Sequence, residues 1–403
     1  MERLERGGRG LSIARHVLAF WLVALAVQLV ARPAHAYAWM IRHGFAECGG
    51  CHVDPMGGET LTGMGRVMGE SLLAQHWSEP LPSDRAKFAF GVTEPDDVRL
   101  GGSLRILSLS NLETDRTVAF PMQADAYGAA FFDRFTVGLS LGLSRASKRY
   151  EHASKARLIG DVQGEGVLLV SRNHWLAYSP TENLMLRVGR LNLPFGIRMP
   201  EHTAWVRSET LTDRESDQLD GLAIAYGAGS FRGELLVALG NLQAWEPAFQ
   251  QRGYSAYGEL LVLRRLALGL SSMLLRAPRE LEVDHGPVSR QAHGLTLRYS
   301  PWVPIVLLAE ADVLKETGAG WGYVGSATLD VEPLRGLHLS LARELLDRGA
   351  PDVGGPVPGR GLSRHGTWWT IDWFFAPHLE ARLDFVQQSQ RANRIQAQLH
   401  LSL

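Results

Sequence analysis

The chain of 403 residues has a formal net charge of −1, so its overall charge does not favour binding to nucleic acid or to an anionic surface. Its hydrophobic fraction of 45% and mean hydropathy near zero are too low for a bundle of membrane-spanning helices. They are compatible with a membrane β-barrel, because the strands of a barrel alternate apolar and polar residues.

The first 36 residues have the three parts of an export signal. Val17 to Ala31 is an apolar run of 15 residues, and Ala34-His35-Ala36 offers a small-x-small cleavage pattern. The basic leader before the run contains four arginines, Arg3, Arg6, Arg9 and Arg15. A membrane-spanning helix needs about 20 apolar residues, so the short run favours a signal peptide over an anchor. We therefore predict a signal peptide over residues 1–36 and a mature chain that begins at Tyr37.

The only two cysteines, Cys48 and Cys51, are followed directly by His52 in the sequence Cys-Gly-Gly-Cys-His. This is the spacing of c-type haem attachment, in which each thiol bonds to one vinyl group and the adjacent imidazole ligates the iron. A disulfide across two intervening residues would stabilise little, a redox dithiol is expected in a βαβ context, and a zinc site needs further paired ligands. We therefore predict one covalent haem c, attached to Cys48 and Cys51, with His52 as the proximal iron ligand.

The second axial ligand has candidates of two types. Residues Glu59 to Trp77 have the pattern of an amphipathic helix opened by Glu59 or Thr60, which places Met64 and Met68 one turn apart. Either thioether could reach the iron, or both could pack as apolar filler. His43 offers an imidazole instead, and a five-coordinate iron is a further alternative. The predicted haem segment covers residues 37–83, and a linker covers residues 84–96.

From Asp97 to Leu403 the chain consists of short runs in which apolar and polar residues alternate. In the last run, apolar residues from Ile395 to Leu403 alternate with polar residues from Arg394 to Ser402. Such a period of 2 predicts strands with one apolar and one polar face. The pattern predicts about 16 strands, at residues 97–112, 117–133, 135–147, 165–179, 184–196, 220–229, 231–241, 253–263, 266–278, 289–300, 304–316, 321–332, 336–347, 365–376, 379–389 and 393–403.

The connections between these strands alternate in length. Tight turns such as Asp133-Arg134 and Pro377-His378 alternate with connections that are mostly longer and more polar. The long connections cover residues 146–164, 197–219, 241–252, 278–289 and 348–364. Alternating lengths are typical of outer-membrane barrels, whereas a soluble sandwich of this length would usually split into two domains. The sequence thus predicts an all-β fold, a transmembrane antiparallel β-barrel over residues 97–403 in contact with outer-membrane lipid.

Two further sets of residues follow from this barrel. Aromatic residues near strand ends are expected to form interfacial girdles, namely Trp175, Tyr178, Tyr299, Trp302, Trp368, Trp369, Trp373 and Phe375. Inward positions are expected to carry charges of both signs, which would either pass ions or hold a folded insert by ion pairs. These positions are Arg99, Arg105, Asp125, Arg187, Glu259, Arg298, Glu310, Asp312, Asp330, Asp372, Arg382 and Asp384.

The cysteine motif, with Pro55, Gly57-Gly58, Leu61 and Gly65-Arg66 after it, resembles the haem segment of fused monohaem cytochrome–porin proteins of bacterial outer membranes. The outer-membrane iron-oxidising cytochromes are the best-known members of that family. The stretch from Gly189 to Gly196, followed by Arg198 and His202, is similar to a strand and inward loop of porins.

The resemblance implies a haem segment that lies in the barrel lumen or caps its periplasmic mouth. Electrons would pass between an extracellular donor or acceptor, such as Fe(II), and a periplasmic carrier, such as a soluble cytochrome. The expected activity is electron transfer, with iron(II) oxidation as one form of it, rather than bond-making catalysis. The alternative is a solute porin whose haem segment is a plug or redox gate. A haem peroxidase would need an acid–base group on an open distal face, for which His43 or His76 could serve.

Overall fold

The computed structural model describes residues 37–45, 47–75, 95–146, 157–159, 166–199, 201, 203–213, 217–243, 250–279, 286–352 and 361–403. The predicted signal peptide, most of the predicted linker, His76 and His202 lie outside the described residues. Within the described ranges, no helix is long and apolar enough to cross a membrane.

The described chain between residues 98 and 402 forms one antiparallel sheet of 18 strand segments. They are β1 (Val98–Asn111), β2 (Arg116–Phe132), β3 (Phe135–Ala146), β4 (Arg157–Ile159), β5 (Gly166–Val170), β6 (His174–Thr181), β7 (Leu184–Leu191), β8 (Leu219–Ala228), β9 (Phe231–Gly240), β10 (Arg252–Leu263), β11 (Leu266–Ala277), β12 (Val288–Trp302), β13 (Ile305–Glu316), β14 (Gly322–Leu334), β15 (Leu337–Asp347), β16 (Arg364–Ala376), β17 (Leu379–Gln388) and β18 (Arg394–Ser402).

This sheet closes on itself. Strand β1 pairs with β2 on one side and with β18 on the other, from Ser103 opposite Ser402 to Asn111 opposite Arg394. Strands β5 and β6 both pair with β3, so they are two parts of one wall strand that is interrupted at residues 171–173. Strand β4 is a short piece that pairs with β5. The wall is therefore a closed barrel of 16 antiparallel strands, and the predicted fold class is confirmed.

The two faces of the wall differ in the way that the alternation predicted. In β8, for example, Leu222 and Ile224 are 52% and 42% exposed, whereas Ala223 between them is 6% exposed. Exposed Leu, Ile, Val and aromatic side chains recur around the barrel exterior. A continuous apolar exterior is stable only in contact with lipid, so this barrel faces a membrane.

The predicted aromatic girdle was wrong for two of its members. Trp175 and Trp368 are buried and point into the lumen, whereas Trp302, Trp369 and Trp373 are exposed on the exterior. The face that a strand residue occupies depends on its parity, because successive side chains point to opposite sides. Closeness to a strand end therefore does not suffice to place a side chain in the girdle.

All two-residue connections lie at one end of the barrel, which we call the short-turn end. They cover residues 133–134, 182–183, 229–230, 264–265, 303–304, 335–336 and 377–378. Because the strands are antiparallel, β1 begins and β18 ends there as well. In outer-membrane barrels the short turns are periplasmic.

The segment 37–75, which we call the plug, is described at residues 37–45 and 47–75, and these residues lie inside the barrel against inward-facing wall residues. A 3₁₀ helix (Ala38–His43) opens the plug, and α1 (Gly63–Met68) continues into one π-helical turn (Gly69–Leu73). The plug leaves the wall region near the short-turn end, where the N–H of Gln75 donates to Phe374 O at 2.9 Å. The described contacts support the expected plug.

The predicted helix start was wrong by a few residues. Helix α1 is capped by Thr62, whose hydroxyl accepts from the N–H of Gly65, and it begins at Gly63 rather than at Glu59 or Thr60. Glu59 has a φ of 56°, and Leu61 forms an antiparallel bridge with His52. A left-handed residue followed by an extended bridge cannot be the first turn of an α-helix.

A second segment folds into the lumen and is called the inward loop; its described residues are 192–199, 201 and 203–213. It contains the short helix α2 (Trp205–Ser208), and Phe195, Ile197 and Trp205 are fully buried. The wall holds this loop by hydrogen bonds from Trp205 N–H to Glu344 Oε1 (2.6 Å) and from Ile197 N–H to Glu310 Oε2 (2.8 Å). The inward loop suggested by the sequence is therefore present.

Candidate functional site

The cysteine motif forms a single helical turn inside the plug. The N–H groups of Cys51 and His52 both donate to Cys48 O, at 3.1 and 3.0 Å. Both thiols are free and buried, with Cys48 6% and Cys51 0% exposed. The turn therefore holds two thiols three positions apart, with an imidazole directly after the second.

The rest of the plug packs backbone against backbone onto this turn. A Cβ on Gly57, whose φ is 85°, would lie 3.1 Å from Cys48 Cβ and 3.4 Å from Cys48 Sγ. A Cβ on Gly65 would overlap the carbonyl oxygen of Cys51. The N–H of Thr62 also donates to Cys51 O at 2.8 Å. These two glycines are thus required for the close approach of the following loop and of α1 to the motif.

The chemistry of this donor set fits a covalently attached haem. Burial, and then the neighbouring Cys48, raise the pKa of the Cys51 thiol to about 12. A redox-active dithiol needs an accessible thiolate, which such burial opposes. Thioether attachment needs two thiols at this spacing and an adjacent imidazole, and Cys48, Cys51 and His52 supply them on one turn.

The wall places a charged cluster directly beside Cys48. Arg232 on β9 donates from Nη1 to Cys48 Sγ at 3.1 Å and from Nε to Glu259 Oε1 at 2.9 Å. Arg298 donates through two nitrogens to the same carboxylate, and Tyr257 OH donates to Glu259 Oε2 at 2.6 Å. We call Arg232, Tyr257, Glu259 and Arg298 the Arg232 cluster.

Further polar contacts fix the plug to other parts of the wall. Arg42 in the 3₁₀ helix pairs with Asp330 and with Glu332, the latter at 2.8 Å. On the other side of the lumen, Asp54 pairs with Arg187 at 3.0 Å.

Glu59 accepts a hydrogen bond from Asn173, at the interruption between β5 and β6. Since Arg42 and the Asp54–Arg187 pair are buried, these contacts are shielded from solvent. The plug is therefore anchored on both sides of the barrel.

The distal ligand candidates lie in different parts of the plug. His43 Nε2 lies 4.0 Å from Glu332 Oε2. Burial lowers the pKa of His43 against the opposing effect of Glu332, which favours the neutral imidazole that ligation requires. Met64 on α1 is 49% exposed, and Met68 is partly buried on the same helix. The distal position stays a prediction, divided between His43 and the Met64/Met68 pair.

Most of the inward charges predicted from the alternation are buried in the lumen. These are Asp125, Arg187, Glu259, Arg298, Glu310, Asp312, Asp330, Asp372 and Asp384. Their contacts hold the two inserts: Arg187 pairs with Asp54 of the plug, and Glu310 pairs with Arg207 of the inward loop. Of the two roles considered, these pairs favour the clasping of a folded insert.

Sequence reasoning missed Arg232, Glu234 and Glu344 as lumen residues. The signal was present in β9, where Arg232 and Glu234 have the parity opposite to the exposed Leu235 and Val237. Their partners were not accessible from the sequence, because Arg232 and Cys48 are 184 positions apart.

Glu209, which directly follows α2, forms an ion pair with Arg348. Glu209 accepts both Nε and Nη2 of Arg348 at 2.6 Å. In the part of the chain that the structure describes, no three His, Cys, Asp or Glu side chains are grouped so that they could hold a metal ion.

Comparison with known proteins gives the fold of the barrel. No family model and no curated protein matches the chain. Outer-membrane expressed OmpT of Vibrio cholerae is similar in structure, with a TM-score of 0.56 and 12% identity over 77% of this chain and 100% of that chain. Salmonella typhi OmpF, in a complex with daunomycin, has a TM-score of 0.54 and 10% identity over 76% of this chain and 97% of that chain. At these identities the likeness shows that the chain shares the barrel fold of outer-membrane proteins.

Proposed function

We propose that this protein is an outer-membrane electron-transfer barrel, in which one covalent haem c is held by the plug inside the lumen. The observation that carries the proposal is the single buried turn that bears Cys48, Cys51 and His52 within a closed, lipid-facing wall. The plug meets the wall at the short-turn end, so the haem would exchange electrons with a periplasmic carrier, such as a soluble cytochrome. The extracellular partner would be a small redox species such as Fe(II).

The chain's own residues hold and insulate this centre. A bound haem supplies a site that takes up or releases one electron without bond-making chemistry. Cys48 and Cys51 would attach it, and His52 would bind the iron. The backbone that packs at Gly57 and Gly65 fixes the turn. The wall keeps lipid away from the site, and the wall ion pairs keep the plug in place, which limits the reorganisation that accompanies an electron step.

The proposal is tested by a haem-stained gel of outer-membrane fractions, followed by spectra of the purified protein. We expect a haem-staining band at the size of the mature chain, and its loss in the Cys48→Ser/Cys51→Ser double variant. Addition of ferrous iron to the oxidised protein should produce the spectrum of reduced c-type haem. A wild-type band without haem stain contradicts the proposal, and a stained band that ferrous iron does not reduce contradicts Fe(II) as the donor.

A second candidate is a solute porin whose plug acts as a redox gate. The likeness of the barrel to OmpF favours it at the level of fold. If the plug is a redox gate, the conductance of the intact protein in planar bilayers should differ between the oxidised and the reduced state. If the protein transfers electrons and does not act as a gate, its conductance should be low in both states, because the plug and the inward loop both cross the lumen.

A further inference from the structure

The cluster around Arg232 is the only wall group among the described contacts that touches a sulfur of the cysteine motif. Arg232 Nη1 donates to Cys48 Sγ at 3.1 Å, and its guanidinium lies over the ring of Tyr257, 5.5 Å from the ring centroid. The side chains of Arg232, Glu259 and Arg298 are 14%, 2% and 3% exposed. A buried charge is poorly screened by salt, so it acts on a neighbouring group more strongly than a surface charge does.

Within this cluster, the positive charge nearest to the motif is that of Arg232. Glu259 is shared by two guanidiniums, those of Arg232 and Arg298, and the carboxyl of Glu47 also interacts with Arg232. Tyr257 donates its hydroxyl to Glu259 and adds no charge as a phenol. Arg232 is therefore the member of the cluster whose charge lies against the motif, since its guanidinium donates to Cys48 Sγ.

We propose that Arg232 raises the reduction potential of the haem attached at Cys48, by holding its positive charge beside the thioether sulfur. The inference rests on the proposed function. An oxidised haem carries one more positive charge than a reduced haem, so a nearby fixed cation destabilises the oxidised form more than the reduced form. Charge near the cofactor and burial are established means by which a protein sets a haem potential. Arg232 is thus a tuning residue that acts through the electrostatic field, and it is not an iron ligand.

The test measures the midpoint potential of the purified haem-loaded protein by spectroelectrochemical titration in four variants. Arg232→Gln removes the positive charge and is expected to lower the potential. Arg232→Lys keeps the charge and is expected to stay near the wild-type value. Glu259→Gln removes the negative charge and is expected to raise the potential. Arg290→Gln is the distance control: Arg290 pairs with Glu316 at 3.6 Å near the opposite end of the barrel, and its loss should leave the potential unchanged.

The opposite signs separate tuning from mere support of the structure. If the two substitutions acted only by disturbing the structure, the potentials of Arg232→Gln and Glu259→Gln would shift in the same direction, and that result would overturn the inference. An unchanged potential in Arg232→Gln would overturn it as well. Should Arg232→Gln fail to load haem, Arg298→Gln removes a positive charge without touching Cys48 and is expected to lower the potential by a smaller amount. An unchanged or raised potential there overturns the inference. A wild-type protein without haem overturns the proposed function and this inference together, whereas loaded variants of equal potential overturn the inference alone.

Discussion

At the scale of single residues, the packing of the plug depends on glycines, which carry no side chain. Gly65 brings the first turn of α1 against the carbonyl of Cys51, and Gly57 brings the preceding loop against Cys48. Gly63, at the start of the same helix, has no atom within 4 Å of the position that a Cβ would take. Of these two glycines in the same helical turn, Gly65 has no room for a side chain, whereas Gly63 does.

This difference gives a matched pair of variants. Gly65→Ala forces a methyl group into the Cys51 backbone and should destabilise the docked α1 by about 1–3 kcal/mol, as overpacking does. Gly63→Ala places its methyl group in open space and should be neutral or stabilising by up to about 1 kcal/mol, because alanine favours a helix. Amide hydrogen exchange of residues in α1 measures both effects. Equal protection in the two variants would contradict the close approach at Gly65.

A second prediction at this scale concerns Glu47, which lies beside the Arg232 cluster. Burial raises the pKa of Glu47 above its ordinary value of 4.5; Arg232 opposes this rise and Glu259 adds to it. A carboxyl with a raised pKa stabilises the folded state while it is protonated, and that contribution is lost as pH rises from 4.5 through the raised pKa. Glu47→Gln stays neutral, so its Tm relative to wild type should increase as pH rises over this range.

The control for this pH dependence is Glu113→Gln, which removes the same charge from an exposed turn. We expect its Tm relative to wild type to stay flat across the same pH series. A flat difference for Glu47→Gln as well would show that Glu47 is solvated rather than packed beside the wall.

Some residues of the candidate site can be predicted from the sequence, and others cannot. Cys48, Cys51 and His52 are local in the chain, so their spacing alone predicts one chemistry. The contact from Arg232 to Cys48 joins residues 184 positions apart, and no local pattern encodes such a pair. The alternation along β9 predicts that Arg232 faces the lumen. Its contact with Cys48 depends on the closed barrel, which places β9 beside the plug.

At the scale of elements, the wall strands were predictable because two independent signals agreed. Alternation gave the strand bodies, and the wall has the expected 16 strands. Two of them differ from the prediction: the strand at 165–179 is interrupted at residues 171–173, and the strand at 184–196 ends at Leu191, where the inward loop begins. The start of α1 was not predictable in this way. The residues from Glu59 to Leu61 have helical periodicity, but tertiary contacts hold Glu59 in a left-handed conformation and Leu61 in a bridge to His52.

The inward loop offers a prediction for a single element. Glu344 on β15 accepts hydrogen bonds from the Trp205 N–H, Trp368 Nε1 and Gln388 Nε2, at 2.6 to 2.8 Å. Glu344→Ala leaves three buried donors without this acceptor, which costs about 1–3 kcal/mol for each donor that finds no other partner. We expect α2 to detach from the wall and to be cut by protease in the otherwise intact barrel.

The neighbouring residue supplies the matched control. Arg343 lies next to Glu344 on the same strand, but its side chain is exposed and donates to Thr367 on β16. Arg343→Ala should leave the protease pattern of the inward loop unchanged. Equal cleavage in both variants would assign the effect to strand β15 rather than to the carboxylate that holds the loop.

At the scale of the whole molecule, the wall and the plug are held by different interactions. The wall closes through the hydrogen-bonded ladder between β1 and β18, to which the plug contributes no strand. The plug is held by ion pairs and hydrogen bonds of inward side chains, with apolar contacts of Ile41 and Val53 to the inward loop. The molecule is therefore a self-sufficient barrel with an insert.

This separation predicts that the barrel folds without residues 37–75 and becomes conductive. Loss of the plug leaves Arg187 paired with Glu234, while Asp330 and Glu332 lose Arg42 and become hydrated by water that enters the lumen. Strand pairing is unaffected, so the deletion variant should keep the heat-modifiable mobility of a folded barrel. Its conductance in planar bilayers should exceed that of the intact protein several-fold, because the lumen of a barrel of about 16 strands is wide enough for an aqueous channel once its insert is removed.

The control must separate loss of the plug from loss of its haem. The full-length Cys48→Ser/Cys51→Ser variant keeps every wall contact of Arg42 and Asp54 and should therefore conduct as little as wild type. High conductance of this variant would mean that attachment of the haem, rather than the wall ion pairs, keeps the plug in the lumen. Low conductance of the deletion variant would instead mean that the inward loop, anchored by Glu310 and Glu344, closes the barrel by itself.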